Sequence, residues 1–419
     1  MRRVLHVITR LANGGAAENT IYTVNGLDRA RWAVDLAIGG QPGSDEDDQV
    51  EKLAIADDVT VHRIPTLVRN PGPGEVRALG DLRRLIRAGG YDIVHTHGAK
   101  AGVLARMAAR REGVPVIING IHGHTFSPQM SPLARVVYRT IERRVARYTS
   151  HFVSVGQDLQ DQYLAAGVGD QERFSVIHSG MELARYTDAS RLDAAGRAAI
   201  RAELGIPADA VVYANISRME PRKGHRFFID AAAQVAEGAG NGDAANTSSA
   251  AAARASTSPA EAGAPWFVIV GDGPEEPALR EQARQRGIAD RVVFTGYRRD
   301  VERMFAMCDV VVLTSLWEGL PRVLVQAAAT ARPAISFACD GAGEIIENDV
   351  NGWVVPMRDT DAVAERMQRL LHDPDTRRRM GAAGQSKVND SWTVESMVDR
   401  IDALYRRLLD GSGTDRDRS

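Results

Sequence analysis

Short apolar runs recur along the chain, and stretches of helical character separate them. Runs at residues 4–8, 32–38, 91–97, 114–120, 152–155 and 174–177 read as the strands of a first unit. Runs at 211–216, 266–270, 292–295, 310–313 and 334–337, with a turn and edge strand at 351–355, read as a second. The run at 310–313 is apolar at every position and β-branched at most, which suits a strand covered on both faces. Helices are expected from the first glycine turn through Leu27, over 132–148 and 300–307, from 323 to 331, and over 392–409. Residues 184–207 are helical and polar, and should carry a hinge. Strand–helix alternation in both halves predicts an α/β chain of two doubly wound parallel-sheet, Rossmann-like domains.

In sheets of this kind ligands bind outside the carboxyl ends of the strands, so the loops there carry the chemistry. The stretch 310–331 gives a strand, then Glu318-Gly319-Leu320-Pro321, then helix formers. Pro321 suits a first helical turn, which needs no N–H donor. Free N–H groups and the helix dipole make such a start an anion site. A carboxylate there, Glu318, suits a sugar hydroxyl rather than a phosphate. The strand at 211–216 ends in Ser217-Arg218 with Lys223 five residues on, two cations suited to a diphosphate. Gly14 and Gly15 follow the first strand but do not make GxGxxG. Gly271-Asp272-Gly273 follows another strand and lacks the third glycine, which has become Glu276. A nicotinamide site is therefore a weak reading.

Length and charge sharpen this only a little. The 419 residues suit two domains, and a net charge of −2 names no partner. Cys308 and Cys339 form no metal-spaced cluster, no apolar run reaches transmembrane length, and no signal-peptide core opens the chain. A cytoplasmic protein is expected. Thirteen Lys/Arg against four Asp/Glu fall between Arg77 and Arg147, many on the helix carrying Arg135, Arg139, Arg143, Arg144 and Arg147. That helix predicts a solvated face, a peripheral dock on an anionic membrane surface, or a site for an anionic acceptor. No aromatic-studded strand set accompanies it, so nucleic acid is not expected. Asp45 and Asp47 could hold a metal by spacing alone, but residues 44–48 read as a solvated loop. The pairs His95/His97 and His122/His124 make zinc conceivable without a third ligand type at a familiar spacing. His95 and His97 read as satisfied strand-end residues. Residues 238–265 read as a disordered insertion and 410–419 as a frayed tail.

The loops at 14–18, 217–225, 271–274 and 318–326 together resemble retaining glycosyltransferases of family 4, which have the GT-B fold: two Rossmann-like domains facing across a cleft. The resemblance covers nearly the whole chain except the insertion and the tail. It implies an N-terminal, acceptor-side domain over 1–185, with the helix 392–409 packing back on it, and a nucleotide-sugar domain over 205–390. By this resemblance Glu318 binds the donor sugar, and His122 contacts it from the first domain. Arg218 and Lys223 hold the diphosphate, and Tyr297 follows the turn that holds the base. Gly14, Gly15, Gly273, Gly319, Leu320 and Pro321 shape the donor site, and Glu344 matches an acidic position. The family's second glutamate is Gln326 here, which changes the ribose contact to a neutral group. The expected activity is metal-independent, cofactor-free transfer of a hexose or N-acetylhexosamine. The donor is a nucleotide-diphosphate sugar, UDP- or GDP-linked, and the acceptor a glycan, lipid-linked or small molecule. A nucleotide-sugar 2-epimerase and a non-catalytic sugar-nucleotide binder are the alternatives.

Overall fold

A computed structural model describes residues 1–11, 14–40, 55–68, 72, 74–126, 130–241 and 263–416. The acidic segment 44–48 and residues 242–262 of the expected 238–265 insertion lie outside the described residues; at its two ends, residues 238–241 are helical and Pro265 begins a strand, so the insertion is shorter than expected. Two compact units emerge, one of residues 1–181 and 390–419, the other of 182–389.

The first unit is a seven-stranded sheet in the order β3-β2-β1-β4-β5-β6-β7. Its strands are β1 (Arg2–Ile8), β2 (Trp32–Gly39), β3 (Thr60–Ile64), β4 (Ile93–His97), β5 (Val116–Ile121), β6 (His151–Ser154) and β7 (Phe174–Val176). Every pairing is parallel. Helices α1 (Gly15–Gly26), α2 (Glu75–Gly89), α3 (Ala99–Arg111), α4 (Pro132–Ala146) and α5 (Gln157–Ala165) provide the crossovers. The strand at 60–64 escapes sequence reading because it is an edge strand with four of its five residues at least partly exposed. It therefore has no unbroken apolar run.

The second unit opens with α6 (Leu183–Ser190) and α7 (Ala194–Glu203), two helices where one helical stretch was expected. Asp193 breaks them apart by accepting from the Gly196 N–H as an N-cap. The unit begins at Glu182 and takes in residues up to 205, because Tyr186 packs edge-on against Phe305 and sits in that unit's core. Its six-stranded sheet runs β10-β9-β8-β11-β12-β13. The strands are β8 (Val211–Ile216), β9 (Pro265–Val270), β10 (Val292–Phe294), β11 (Val310–Leu313), β12 (Ala334–Phe337) and β13 (Gly352–Val355), again all parallel. Between and after them lie α8 (His225–Asn241), α9 (Glu276–Gln285), α10 (Val301–Met307), α11 (Arg322–Ala329), α12 (Ala342–Ile345), α13 (Thr360–His372) and α14 (Pro374–Lys387).

The chain then returns to the first unit as α15 (Val394–Arg416), starting two residues later and running further than the 392–409 expected. Successive β1 side chains alternate between faces. Leu5 and Val7 pack with Leu82, Ile86 and Leu104, whereas Val4 and Ile8 pack with Ile21, Met397, Ile401 and Tyr405. Asp402 accepts from the Trp32 indole at 2.6 Å, which fixes α15 against β2. α15 shares the covering of this face with α1, whose Ala17, Ile21 and Val24 lie in the same core.

On α4, Glu142 turns inward and pairs at 2.7 Å with Arg106, both essentially unexposed. Arg106 also donates to the Gly102 carbonyl and to Thr149. Removing one partner from such a pair leaves the other charge buried alone. Glu142→Gln should therefore cost about 3 kcal/mol or more of unfolding free energy in urea. A loss below about 1 kcal/mol would show the pair to be dispensable.

Candidate active site

Strand order reverses between β8 and β11, the central neighbours of the second sheet, and in open parallel sheets the carboxyl ends of such strands are where ligands bind. The two loops are stitched together at the root. Asn215 donates to the Thr314 hydroxyl at 3.3 Å, and that hydroxyl meets the Lys223 carbonyl at 3.3 Å. The Leu316 N–H donates to the Arg222 carbonyl at 2.8 Å. Ser217 Oγ lies 3.0 Å from Asn215 Oδ1 and 3.1 Å from His225 Nε2. Gly224, at φ +62°, is what permits this approach: a Cβ there would stand 2.2 Å from the Thr314 carbonyl oxygen.

Charged side chains line this junction in alternation. Lys223 Nζ meets Glu318 Oε1 at 2.5 Å, and Arg222 lies 3.6 Å from the other carboxylate oxygen. Arg222 also pairs with Glu220 at 3.1 Å, and Glu220 with Arg218 at 3.2 Å. Glu318 is only 9% exposed. Burial alone would raise its carboxyl, but Lys223 and Arg222 outweigh that and hold it below the ordinary range. Three cations face two carboxylates, so the cluster keeps a net positive charge that an anionic ligand can meet.

The surrounding loops close on the same place. Gly273 lies so near Met219 that a Cβ would stand 2.3 Å from its carbonyl oxygen, and the Met219 N–H donates to Asp272 at 2.7 Å. Gly271 donates to Gly296 at 3.0 Å, which sets Tyr297, half exposed, beside that turn. A Cβ on Gly341 would stand 3.0 Å from Pro321 and 3.3 Å from Leu320, so the loop after β12 rests on residues 319–321. Arg218, Lys223, Gly273, Glu318, Gly319, Leu320 and Pro321 are thus gathered around the ends of β8 and β11. Pro321 is the N-cap of α11 rather than a residue of its first turn. Glu344 belongs to the short helix α12 rather than to the loop before it. The Gln326 side chain donates to the Tyr186 hydroxyl at 2.9 Å, so its amide is already engaged with α6.

In the first unit Gly14 caps α1 and Gly15 begins it. His122 directly follows β5. His95 and His97 lie on one face of β4, but their partner is His6 of β1, which the sequence reading did not single out. One ring nitrogen from each of these three lies within 4.8 Å of the others. His6 Nδ1 and His97 Nε2 are 3.0 Å apart, and His97 Nδ1 and His122 Nε2 are 2.9 Å apart. His6 had a signal, being the one polar residue in a strand otherwise apolar from Val4 to Ile8. Glu220 and Arg222 were missed as well, because charged residues in a loop look solvated until their partners are known.

Two family profiles tile the chain. Residues 14–180 match the Glycosyl transferase 4-like domain, and residues 196–387 match Glycosyl transferases group 1. The Escherichia coli UDP-Gal:alpha-D-GlcNAc-diphosphoundecaprenol alpha-1,3-galactosyltransferase is 27% identical over 354 residues, 84% of each chain. A GDP-mannose-dependent alpha-(1-6)-phosphatidylinositol monomannoside mannosyltransferase of Mycobacterium tuberculosis is 29% identical over 374 residues, 86% of each chain. The crystal structure of Anabaena HepE in complex with UDP has a TM-score of 0.76 at 21% identity, covering 97% of this chain and 100% of that one. Sucrose-phosphate synthase from Thermosynechococcus elongatus gives 0.76 at 20% identity, covering 98% and 100%. These neighbours share the GT-B arrangement of two Rossmann-like domains.

Gly224→Ala forces a side chain into the Thr314 carbonyl at a left-handed φ, and should lower the melting temperature by roughly 4–8 °C. An unchanged melt would mean the two loops are not held as described. Burial pushes His122 and His225 each down to about 4, with Lys223 adding to the effect on His225. A histidine whose folded pKa lies below 6.5 binds fewer protons in the folded state. Its contribution is full above pH 6.5 and is lost as pH falls toward 4. Melting temperature should be flat from pH 8 to 7 and fall by several degrees by pH 5, before most carboxylates titrate. A flat profile to pH 5 would contradict the burial of these rings.

Proposed function

We propose, on the two glycosyl transferase profiles that the chain matches, that it moves a hexose or N-acetylhexosamine from a nucleotide-diphosphate sugar to a lipid-linked or glycan acceptor, with retention and without a metal. The observation that carries this reading is the Lys223–Glu318 pair at the carboxyl ends of β8 and β11. Breaking the glycosidic bond leaves a diphosphate whose developing charge must be met by fixed cations and dipoles. Lys223 and Arg218 supply the cations, and the amino end of α11 the dipole. Glu318 accepts from sugar hydroxyls, and His122 contacts the sugar from the first unit. Tyr297 and Gly273 border the nucleotide, and the Gly14–Gly15 turn approaches the donor.

No carboxylate is assigned as a covalent nucleophile. The acceptor hydroxyl attacks the anomeric carbon on the side the diphosphate leaves, its proton passes to a phosphate oxygen, and a nucleoside diphosphate departs. The products named for relatives are α-linked, which is retention when the donor is itself α-linked. The acceptors in those names are a diphosphoundecaprenol and a phosphatidylinositol mannoside, and this favours a lipid-linked acceptor here. Helix α4 supports work at a membrane: Leu133 is 76% exposed, Val136 and Val137 are nearly half exposed, and Arg135 stands among them. Arg143 is spent differently, on the Ala166 carbonyl at 2.6 Å. This exposed face is the ground for proposing peripheral binding at the cytoplasmic face; no helix among the described residues is long and apolar enough to cross a membrane. Gln326, bonded to Tyr186, replaces a charged ribose contact with a neutral one.

Glu318→Ala and Lys223→Ala should each lower kcat by about a hundredfold or more with the fold retained. Transfer within about threefold of wild type in either would end this assignment. Donor alone should give only slow hydrolysis. Full conversion of the sugar without acceptor would favour the epimerase reading. Activity should persist in EDTA.

A further inference from the structure

The loop after β8 carries a carboxylate where its chemistry calls for cations. Glu220 stands between two arginines and divides its oxygens between them. Oε1 lies 3.2 Å from Arg218 Nε, and Oε2 accepts from Arg222 Nε at 3.1 Å. Arg218 has no other ion partner among the described residues. Its contact with Glu220 is on the Nε edge, so the terminal amino groups of the fork are left for a ligand's oxygens. Glu220 therefore stays beside Arg218 when an anion binds there, and its charge acts on that anion.

The placement is built into the backbone. The Glu220 N–H donates to the Arg218 carbonyl at 2.8 Å, and the Lys223 N–H donates to the Glu220 carbonyl at 2.9 Å. Met219, one residue back, donates to the Asp272 carbonyl and accepts from the Glu275 N–H at 3.2 Å. Two residues on, the Arg222 carbonyl takes the Leu316 N–H. All of these residues belong to the second unit. Stability does not account for Glu220: its side chain is 29% exposed and that of Arg218 56%, and such pairs contribute little to folding. Lys223 and Glu318, at 14% and 9%, form the buried pair.

Sugar transfer changes the charge of what Arg218 holds. The acceptor's O–H bond and the bond from the anomeric carbon to the phosphate oxygen break, and a new bond joins the acceptor oxygen to that carbon. The proton goes to the leaving diphosphate. A terminal phosphate has a second pKa of about 6, so at pH 7.5 the proton passes on to water. The product then carries about three negative charges, against about two on the nucleotide sugar. A fixed carboxylate repels each in proportion to its charge, so Glu220 acts more strongly against product than against donor.

We propose that Glu220 is a release residue, which lowers affinity for the nucleoside diphosphate more than for the nucleotide sugar and so lets the spent carrier leave. It acts through charge beside Arg218 and takes no part in bond making. The proposal rests on the reading of Arg218 as a diphosphate ligand in glycosyl transfer.

Isothermal titration of the full-length protein at pH 7.5 and low salt tests it, with UDP, GDP and their terminal-phosphate methyl esters. The esters have the donor's charge and no sugar. Glu220→Gln should tighten whichever nucleoside diphosphate the wild type prefers about tenfold, and its methyl ester about fivefold. Glu220→Lys doubles the change in charge, and should widen the gap between the two to about fourfold. Glu220→Asp should bind both as the wild type does. The gains should shrink in 1 M salt, where charges are screened within about 3 Å. Weaker binding in Glu220→Gln overturns the proposal, because Glu220 would then be holding Arg218 in place for the ligand. Equal gains for nucleotide and ester, or gains that survive 1 M salt, overturn it as well. A wild type that binds none of the four ends both the proposal and the diphosphate reading of Arg218. Charge-graded binding in a protein that transfers no sugar upholds the effect of Glu220 on the diphosphate and ends the glycosyl-transfer reading.

Discussion

An ammonium and a carboxylate withdrawn from water are tolerable only together, and the second unit is arranged so that Lys223 and Glu318 meet. One comes from the loop after β8 and the other from the loop after β11. Their contact requires those strands to be adjacent and the loops to touch at Gly224 and Thr314. The rest of the unit serves that register. The covered parallel strands fix where each loop begins, and Arg222 and Glu220 extend the alternation of charge outward to the exposed Arg218. A site assembled this way is set before any ligand arrives, as electrostatic stabilisation of a leaving group demands.

Most of the strands could be read from the chain because a strand covered on both faces has to be apolar at nearly every position. Val310–Leu313 and Ala334–Phe337 were recovered to the residue. The strand Thr60–Ile64 was not, since an edge strand escapes that demand. Helices α2 and α3 went unread: the buried side of α2 is the short stripe Ala78, Leu82 and Ile86, and on α3 the buried Arg106 breaks the apolar face while its ion partner Glu142 is distant in sequence. The loops of the candidate site were legible as motifs. What no motif conveyed was pairing: that Lys223 faces Glu318, that Gln326 turns to Tyr186, or that His6 joins His95 and His97.

The two units place polar side chains differently at their switch points. The second gathers opposite charges at β8 and β11, whereas the first gathers neutral rings on β1 and β4. Charges suit a group that must attract and hold an anion. Burial keeps those rings uncharged at physiological pH.

Because α15 supplies Met397, Ile401 and Tyr405 to the core built on β1, the first unit is interrupted by the whole of the second. During synthesis the amino-terminal sheet emerges long before its cover does. At roughly 5–20 residues per second, some 200 further residues keep the part of that face left uncovered by α1 waiting for ten seconds or more. The second unit, continuous in sequence, can fold in that interval, so the order of completion on the ribosome is the reverse of the order of the genetic message.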